Sequence, residues 1–404
     1  MPDYKIPQNI TSAIDRLVNA ALENEQYEGV FKDFCNDLVD AGLPLLRAHL
    51  AMQTLHPLLS SLDLTWVRGE SFTVCTHEHG TGDNDAWRRS PLYWMISNKK
   101  MLLRQNLKDQ SALDKFPILR EIQRLGGTDY LALATLFGDP KTAFETQDGI
   151  LTSWVSDSVD GFDEQHIHCL KFLLPYVALV AKLSKKQNTA FNVVSAYLGE
   201  EIGRQVLEGK MRLGDIERIP AVIWMCDLRN STPMAEQLTA DEYLHSLNAY
   251  FDCTAGAVLN NGGQVLSFIG DAVLAVFPVT DTVSLSTAAR LALAASRESR
   301  QRMSDLNRLR AESLQDPMAF GLALHAGDVH YGNIGVPNRI DFSVIGSAVN
   351  EVSRLESLTK KIGETLLVSR AFKDAIHLPC RSLGSHSVKG VTQDLEVFAP
   401  IFHN

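Results

Sequence analysis

The chain has 404 residues, with 38 Lys and Arg against 48 Asp and Glu, so its net charge is −10. A typical domain has about 100–200 residues, so this length predicts two domains and a connector. Hydrophobic residues at 45% and charged residues at 21% are typical of folded domains and exclude wholesale disorder. The excess of acidic over basic residues excludes nucleic acid as the main partner, because proteins that bind nucleic-acid phosphates are rich in Lys and Arg.

The sequence predicts no membrane segment and no export. The longest apolar run, residues 170–183, is shorter than the roughly 18 residues of a membrane helix and contains Lys171, Pro175 and Lys182. The N-terminus lacks the charged segment followed by an apolar segment that is typical of a secretory signal peptide. The six cysteines form no CxxC pair and no dense framework. We therefore expect a cytoplasmic protein with reduced thiols.

Residues 1–187 mix amphipathic helices with short strands and end in an apolar helix from about residue 163 to 183. Strands flanked by helices predict a small α+β regulatory domain. Residues 188–217 follow as a helical transducer or a plain linker, with a candidate helix at Asn192–Leu207.

Residues 218–404 predict a second domain. Residues 221–226 form an apolar strand that ends at Asp227. Thr232 and Pro233 fit a helix start, because proline tolerates the first helical position, and Thr239 with Glu242 fits a capping box. Two short strands follow, at residues 264–269 and 272–277. The Gly270-Asp271 pair between them predicts a hairpin.

The remaining apolar patterns predict further helices and strands. The expected helices span about residues 285–310 and 349–361, and the expected strands span 320–325, 329–334, 342–345, 365–369 and 395–399. Helix pairs that alternate with hairpins predict a mostly antiparallel sheet covered by helices, so the fold class is α+β.

Asp227 closes one predicted strand and Asp271 lies at a hairpin tip. Two carboxylates on adjacent strand ends can bind hard divalent cations, and Mg²⁺ usually takes one or two carboxylates plus substrate phosphates. Such a site can drive in-line phosphoryl displacement. Turn aspartates that hydrogen-bond their own backbone are a commoner arrangement.

Other candidate residues surround this pair. Residues 228–232 run from a strand end into a helix start, where free N–H groups can hold a triphosphate. Asn350 and Arg354 are four apart on a predicted helix and share one face; the arginine could offset charge on a transferring phosphorus and the asparagine could orient a sugar. Lys389 is a further candidate phosphate cation. For residues 228–232, for the pair Asn350 and Arg354, and for Lys389, the alternative interpretation is ordinary solvent-exposed polar residues that bind no ligand.

The second domain contains five motifs: Asp-Leu-Arg at 227–229, Gly-Gln-Val-Leu-Ser-Phe-Ile-Gly-Asp at 263–271, Gly-Asn-Ile-Gly at 332–335, Asp-Phe-Ser-Val-Ile-Gly at 341–346 and Val-Asn-Glu-Val-Ser-Arg-Leu-Glu at 349–356. Together, these motifs resemble the class III nucleotidyl cyclase domain over roughly residues 218–400. Residues 40–185 look more loosely like the GAF-type sensor that precedes this domain in many bacterial cyclases. The expected core of the catalytic domain is ferredoxin-like.

The resemblance implies a head-to-tail homodimer with two shared sites. Asp227, Asp271 and the carbonyl of Leu228 would bind two Mg²⁺ or Mn²⁺ ions, and Asn350 and Arg354 would come from the partner chain. The expected substrate-binding residues are Arg229, Asn230, Ser231, Thr232, Ser267, Gly270, Arg339, Ser343 and Lys389. The ribose 3′-hydroxyl would attack the α-phosphorus of a nucleoside triphosphate, most simply ATP, and pyrophosphate would leave.

Two base-reading positions depart from the family pattern. Adenylate cyclases of this family usually carry Lys at the position of Ser267, and Asp or Thr at that of Ser343. A serine hydroxyl still hydrogen-bonds an exocyclic group, but Ser267 replaces a long cationic donor with a short neutral one. Members of the family that bind guanine typically carry Glu at the position of Ser267, and this glutamate is absent here.

This departure leaves alternatives open. Bacterial cyclases that make cyclic UMP or CMP alter the same two positions, so UTP or CTP is an alternative substrate. A catalytically silent nucleotide-binding scaffold is another. A palm-type diguanylate cyclase also pairs carboxylates on a hairpin, but its Gly-Gly-Asp/Glu-Glu-Phe string is absent. The ligand of the N-terminal domain, a small molecule or a protein, is open.

Overall fold

The computed structural model describes residues 6–23, 26–53, 59–70, 72–78, 85–146, 148–209, 216–336, 339–376, 378–387 and 394–401. The chain divides into two compact units, Met1–Ala196 and Tyr197–Asn404. Each unit has its own sheet and its own apolar cores.

The first unit is built on a six-stranded antiparallel sheet of order β3-β2-β1-β6-β5-β4. Its elements are α1 (Gln8–Leu22), α2 (Tyr27–Asp40), β1 (Leu45–Gln53), β2 (Leu59–Val67), β3 (Thr73–Glu78), α3 (Asp85–Arg88), α4 (Pro91–Ser97), β4 (Leu102–Asn106), α5 (Gln110–Lys115), α6 (Pro117–Arg124), β5 (Asp129–Leu136), α7 (Pro140–Thr146), β6 (Gly149–Ser156) and α8 (Glu164–Leu198). One core joins this sheet to α1, α2 and α8, and another joins its other face to α4, α5 and α6. The predicted N-terminal α+β domain is therefore present.

The second unit is built on an eight-stranded sheet. Its elements are α9 (Glu200–Leu207), β7 (Ile216–Leu228), α10 (Ser231–Gln237), α11 (Ala240–Asn260), β8 (Gln264–Ile269), β9 (Ala272–Pro278), α12 (Leu285–Glu312), β10 (Phe320–Val336), β11 (Arg339–Ile345), α13 (Ser347–Ile362), β12 (Leu366–Ser369), α14 (Arg370–Ala375), β13 (Cys380–His386) and β14 (Leu395–Pro400). The strand order is β13-β14-β12-β10-β7-β9-β8, and β11 pairs with β10.

All strand pairs of this sheet are antiparallel except β10 with β12. One face packs against α11 and α12 through a core that includes Trp224, Tyr250 and Phe277. The other face packs against α13 through Ile223, Val352 and Leu355. The predicted mostly antiparallel sheet covered by helices is confirmed.

The structure differs from the predicted elements in several places. Residues 192–198 are not the start of a new helix but the end of α8, and Gly199, at φ +85°, separates α8 from α9. The strands predicted at 320–325 and 329–334 form the single strand β10. Strand β13, which has no apolar alternation, has no counterpart in the prediction.

Among the described helices, α8 alone is long and apolar enough to cross a membrane, by length and composition only. Half of its apolar stretch is buried inside the protein, and a core helix passes the same test. The expected absence of a membrane segment stays a prediction.

Candidate active site

Asp227 lies at the C-terminal end of β7, an interior strand of its sheet. The strand is apolar on both faces, with Ile223, Trp224 and Cys226 all fully buried, because helices cover both sides of the sheet. Asp227 is paired with Ala272 of β9 on one side and Gly321 of β10 on the other. Its carboxyl is therefore fixed at the edge of the core and half-buried.

Asp271 reaches the same place from the β8–β9 hairpin. Ile269 pairs with Ala272 across a two-residue loop of Gly270 and Asp271. Gly270 has φ +65° while Asp271 has no positive φ, which fits a type II′ turn with glycine first. Asp271 therefore directly precedes the residue paired with Asp227.

The two carboxyls lie within hydrogen-bonding reach of each other. Burial, and then the charge of nearby Asp271, raise the pKa of Asp227. Two carboxyls that compete for one proton are an arrangement that a hard cation relieves, and oxygen ligands of this kind suit Mg²⁺ or Mn²⁺. The residues present therefore fit a divalent metal site. Leu228, whose carbonyl the sequence also proposes as a ligand, is buried as the last residue of β7.

Arg229 has a different environment from the predicted triphosphate contact. Its guanidinium donates a hydrogen bond to the Thr359 hydroxyl and lies 3.5 Å from the Glu356 carboxylate, both on α13. Its backbone N–H donates to the carbonyl of Ala319 at 2.8 Å. A Cβ at Gly321 would overlap this cluster, so glycine makes room for it. The structure thus engages Arg229 inside its own chain.

The turn after β7 contains the other predicted phosphate contacts. Asn230 is exposed in the left-handed conformation, at φ +58°, and precedes α10. Helix α10 begins at Ser231, so the predicted helix start at Thr232 and Pro233 is wrong, because the tight turn at Asn230 starts the helix earlier. Ser231 and Thr232 lie in its first turn, where N–H groups lack helical partners.

Asn350 and Arg354 project from α13 into solvent. The buried residues of α13 include Val352, Leu355 and Glu356, so the predicted shared face of Asn350 and Arg354 is the outward one. Within the described residues, the Arg354 guanidinium forms no ion pair.

The remaining predicted residues lie on strands or outside the described segments. Ser267 is exposed on the edge strand β8, beside an irregularity between Val265 and Ser267. Ser343 of β11 pairs with Gly332, and Arg339 begins the same strand. The side chains of Ser343 and Arg339, and the whole of Lys389, lie outside the described part.

Two further groups next to the carboxyl pair, Glu356 and Tyr250, are not predicted by the sequence motifs. Burial raises the pKa of Glu356, and the charge of Arg229 opposes this shift. The signal for Glu356 is an acidic residue beside the apolar stripe that contains Val352 and Leu355. The Tyr250 hydroxyl lies 3.3 Å from the Cys226 sulfur, and its pKa is raised by burial, by Cys226 and also by Asp227.

The second part of the chain is similar to known proteins. Residues 217–399 match the family model described as the adenylate and guanylate cyclase catalytic domain. An adenylate cyclase of Anabaena cylindrica is 33% identical over 37% of this chain, and adenylate cyclase 1 of Rhizobium meliloti is 29% identical over 55%. The matches span only 29% and 34% of those relatives' lengths.

Among solved structures, the adenylyl cyclase CyaB from P. aeruginosa is 26% identical, with a TM-score of 0.43. The match covers 47% of this chain and 97% of that one. The part of the chain in which the two carboxyls meet is thus the part that is similar to an adenylate and guanylate cyclase catalytic domain, residues 217–399.

Proposed function

We propose that the second unit is a nucleotidyl cyclase that converts a nucleoside triphosphate, ATP in the first instance, into its 3′,5′-cyclic nucleotide and pyrophosphate. The observation that carries this proposal is the meeting of Asp227 and Asp271 inside a domain of the cyclase family. In the reaction, the ribose 3′-oxygen attacks the α-phosphorus and loses its proton. The bond from the α-phosphorus to the pyrophosphate oxygen then breaks.

We assign two divalent cations, Mg²⁺ or Mn²⁺, to the carboxylates of Asp227 and Asp271 and the carbonyl of Leu228. When bound, such cations would lower the pKa of the 3′-hydroxyl and neutralise charge on the phosphate oxygens. The hydrogen-bonded strand ends hold the two carboxylates in place before any substrate arrives.

The position of Arg354 supports a site shared between two copies of the chain. Burial raises the pKa of Glu356, and the negative charge of nearby Asp227 raises it further. The face of α13 that carries Glu356 is therefore turned toward the carboxyl pair. Residues two apart on a helix lie about 200° apart around its axis. Arg354 is therefore turned away from the carboxyls of its own chain, and it reaches such a pair only in a partner. There Arg354 would stabilise charge on the transferring phosphorus, and Asn350 would orient the ribose.

Exposed apolar residues near the catalytic parts supply a surface for such a partner. Phe268 and Ile269 of β8 are 52% and 54% exposed. Ile334, Val336 and Ile345, on the β10–β11 hairpin, are exposed as well. Apolar side chains of this size favour burial against another protein surface.

The substrate would lie between the carboxyl pair and the partner's α13. We assign the triphosphate to the turn at Asn230, Ser231 and Thr232, with Arg339 and Lys389 as cations, and the base edge to Ser267 and Ser343. Exposed Ser267 supports a second candidate, a UTP or CTP cyclase, because no lysine is present there for adenine. The first unit would regulate the site through a small molecule or a protein partner.

Complementation tests the shared site. Homodimers of Asp271→Ala and of Arg354→Ala should each lose almost all activity, whereas mixed dimers regain one intact site of the two. We expect roughly a quarter of wild-type activity from a random one-to-one mixture, if each site works independently. A mixture that stays inactive, although heterodimers are detected by differential tags, would refute the shared site.

Product identification tests the base. The protein would be incubated with Mn²⁺ and equimolar ATP, GTP, CTP and UTP, and the cyclic products would be identified by mass spectrometry. Cyclic AMP as the main product supports the first candidate, and cyclic UMP or CMP supports the second. Binding of one triphosphate with no product from any of the four would instead support a silent scaffold and refute both cyclase proposals.

A further inference from the structure

A cavity in the first unit is bordered by the end of β4, the start of β5 and the β6–α8 loop, which we define as residues 157–163. Its volume is about 410 Å³, within the usual range for small-molecule sites. The side chains that line it are mainly polar: Arg104, Asn106, Lys108, Thr128, Asp129 and Asp160. Sites for small molecules are usually lined mainly by apolar residues, so this lining indicates a polar ligand.

Two of the lining cations hold the β6–α8 loop in place. Lys108 Nζ donates a hydrogen bond to the Val159 carbonyl at 2.6 Å. Arg104 Nη2 donates one to the Phe162 carbonyl at 2.5 Å. Both bonds join the loop to the C-terminal end of β4, so the walls of the cavity are in place before any ligand binds. A site of this kind loses less entropy on binding than one that must order its own walls.

Asp129 is not available to a ligand, because its charge is already paired. Only 4% of the residue is exposed. Its carboxylate accepts hydrogen bonds from Arg104 Nε and Nη2 and from the backbone N–H of Phe162. Arg104 still has Nη1, whose N–H groups have no hydrogen-bond partner among the described residues. The guanidinium is therefore fixed by the protein and keeps one nitrogen for a ligand.

Two other lining residues carry charges of opposite sign that lack a counter-ion. The Lys108 ammonium is bound to a neutral carbonyl, and the exposed Asp160 carboxylate forms no ion pair within the ranges that the structure describes. The two do not pair with each other, although they line the same cavity. A ligand with a single charge would attract one of them and repel the other. A ligand with both charges has a partner for each.

We propose that this cavity binds an α-amino acid in its zwitterionic form, with the carboxylate at Arg104 Nη1 and Lys108 and the ammonium at Asp160. Hydrogen bonds between ionised groups of this kind are among the stronger ones in proteins. The side-chain amide N–H groups of Asn106, which have no partner in the described part of the chain, offer the carboxylate a further contact.

Other classes of ligand fit this lining less well. No aromatic residue is among the described lining residues, so no ring is present for a nucleotide base to stack on. The described residues also include no group of three His, Cys, Asp or Glu that could hold a metal ion. A simple anion finds two cations here but also the unpaired carboxylate of Asp160.

The amino acid would be the small-molecule ligand of the first unit, and in this respect the inference rests on the proposed function. The β6–α8 loop leads directly into α8, which begins at Glu164. A ligand that bridges Lys108 and Asp160 would therefore tie the start of α8 to the end of β4. Binding itself requires no cyclase activity, so the two proposals are tested separately.

Isothermal titration calorimetry of the full chain tests the site. The common L-amino acids would be titrated in turn, followed by the N-acetyl derivative and the carboxamide of each one that binds. At least one amino acid should bind at millimolar concentration or below, and both derivatives should bind about tenfold more weakly, because each has lost one charge-assisted contact. No binding by any amino acid, or equal binding of the N-acetyl derivative, overturns the proposal. Inorganic phosphate that binds as tightly as the amino acid also overturns it.

Two substitutions separate the recognition of the two charges. Asp160→Asn should weaken binding of the amino acid about tenfold and leave binding of its N-acetyl derivative unchanged, whereas Lys108→Gln should weaken the amino acid equally and leave the carboxamide unchanged. Lys32→Gln and Asp33→Asn, an exposed cation and an exposed anion on α2, are the matched controls and should bind like the unchanged chain. All four side chains are exposed, so folding survives, as circular dichroism would verify. Equal affinities in all four variants overturn the assignment.

Cyclic nucleotide production by the same protein distinguishes the two proposals. Binding of an amino acid with no cyclic nucleotide formed from any triphosphate refutes the proposed function and leaves the site intact. Cyclic nucleotide formation by a chain that binds no amino acid overturns the site and leaves the proposed function intact.

Discussion

The two faces of α13 differ in where their polar groups find partners. On the inner face, Glu356 and Thr359 contact Arg229 of the same chain, and the apolar residues around them are buried. On the outer face, the side chains of Asn350 and Arg354 are exposed, and no described residue of the same chain binds them. Inner polar groups therefore serve folding, whereas outer ones are available to a ligand or a second chain. We therefore propose that the exposed face, rather than the buried one, takes part in the chemistry.

The largest expected effect concerns the outer face. Arg354→Ala should lower kcat by about 100-fold to 1,000-fold, the usual effect of removing one group that stabilises transition-state charge. Its Tm should not change, because the side chain is exposed. Lys360→Ala is the matched control, since it removes another exposed cation from the same helix. Steady-state kinetics and thermal scans of both variants provide the measurement, and equal losses in the two would contradict the assignment.

On the inner face of α13, loss of a polar contact should lower the stability of the fold. Arg229→Ala leaves the buried Glu356 carboxylate without its cation and should lower the free energy of unfolding by about 3 kcal/mol. Arg218→Ala is the control, because its pair with Asp328 is exposed to solvent, which screens such a pair, so this variant should change the stability much less. Hydrogen exchange of β7 peptides across a urea series reports this unit separately from the first. Similar midpoints for both variants would show that the inner pair does not stabilise the fold.

The difference between the faces also explains what the sequence could predict. The β8–β9 hairpin and its Asp271 follow from a glycine turn between two apolar runs, which is a local signal. The partner of Arg229 could not be predicted, because Glu356 is distant in the chain and meets it only through the packing of α13 on the sheet. The exposure of Arg354 follows from its place opposite the apolar stripe, but its proposed function requires a second chain.

Elements with weak local patterns were missed for related reasons. The sequence pattern predicts two strands in place of β10, because Gly327 and Asp328 interrupt its apolar residues, while pairing with β7 continues through both. It predicts an end of the apolar helix near residue 183, because the residues of α8 after Ala181 have no buried face. The sequence pattern reports burial within one chain, so segments that are stabilised by strand pairing or that have no buried face give a weaker signal.

The edge strand β8 repeats the contrast on a smaller scale. Leu266 packs inward against the core under α13, whereas Ser267 is exposed. Ser267→Lys should shift the ratio of kcat/KM for ATP over UTP toward ATP by about tenfold, the effect of one charge-assisted hydrogen bond of about 1.5 kcal/mol. Ser385→Lys on β13, the opposite edge of the sheet, should leave the ratio unchanged. Equal ratios in both variants would mean that residue 267 does not contact the base.

The smallest expected effect is on the pH dependence of folding stability, through a histidine that is buried beneath the inner face of α13. His325 of β10 is buried, with its Nε2 3.7 Å from the Glu351 carboxylate of α13, and its Nδ1 has no hydrogen-bond partner among the described residues. Burial lowers the pKa of His325 to about 4. In the unfolded chain, the pKa of histidine is about 6.5. The unfolded state therefore binds more protons below pH 6.5, and the folded state loses stability as the pH falls from 6.5 toward 4.

Between pH 7 and pH 5.5, this linkage amounts to about 1 kcal/mol of unfolding free energy. His325→Gln keeps a polar side chain without a titrating group, so the loss over this pH range should shrink by about that amount. Glu351, whose pKa is raised by burial, is present in both chains, and to first order its own titration cancels in the comparison. Urea unfolding of β7, followed by hydrogen exchange at the two pH values, measures the difference. The same pH dependence in both chains would mean that water or a nearby charge solvates the imidazole, and the inner face would then not be the dry interface that its buried residues indicate.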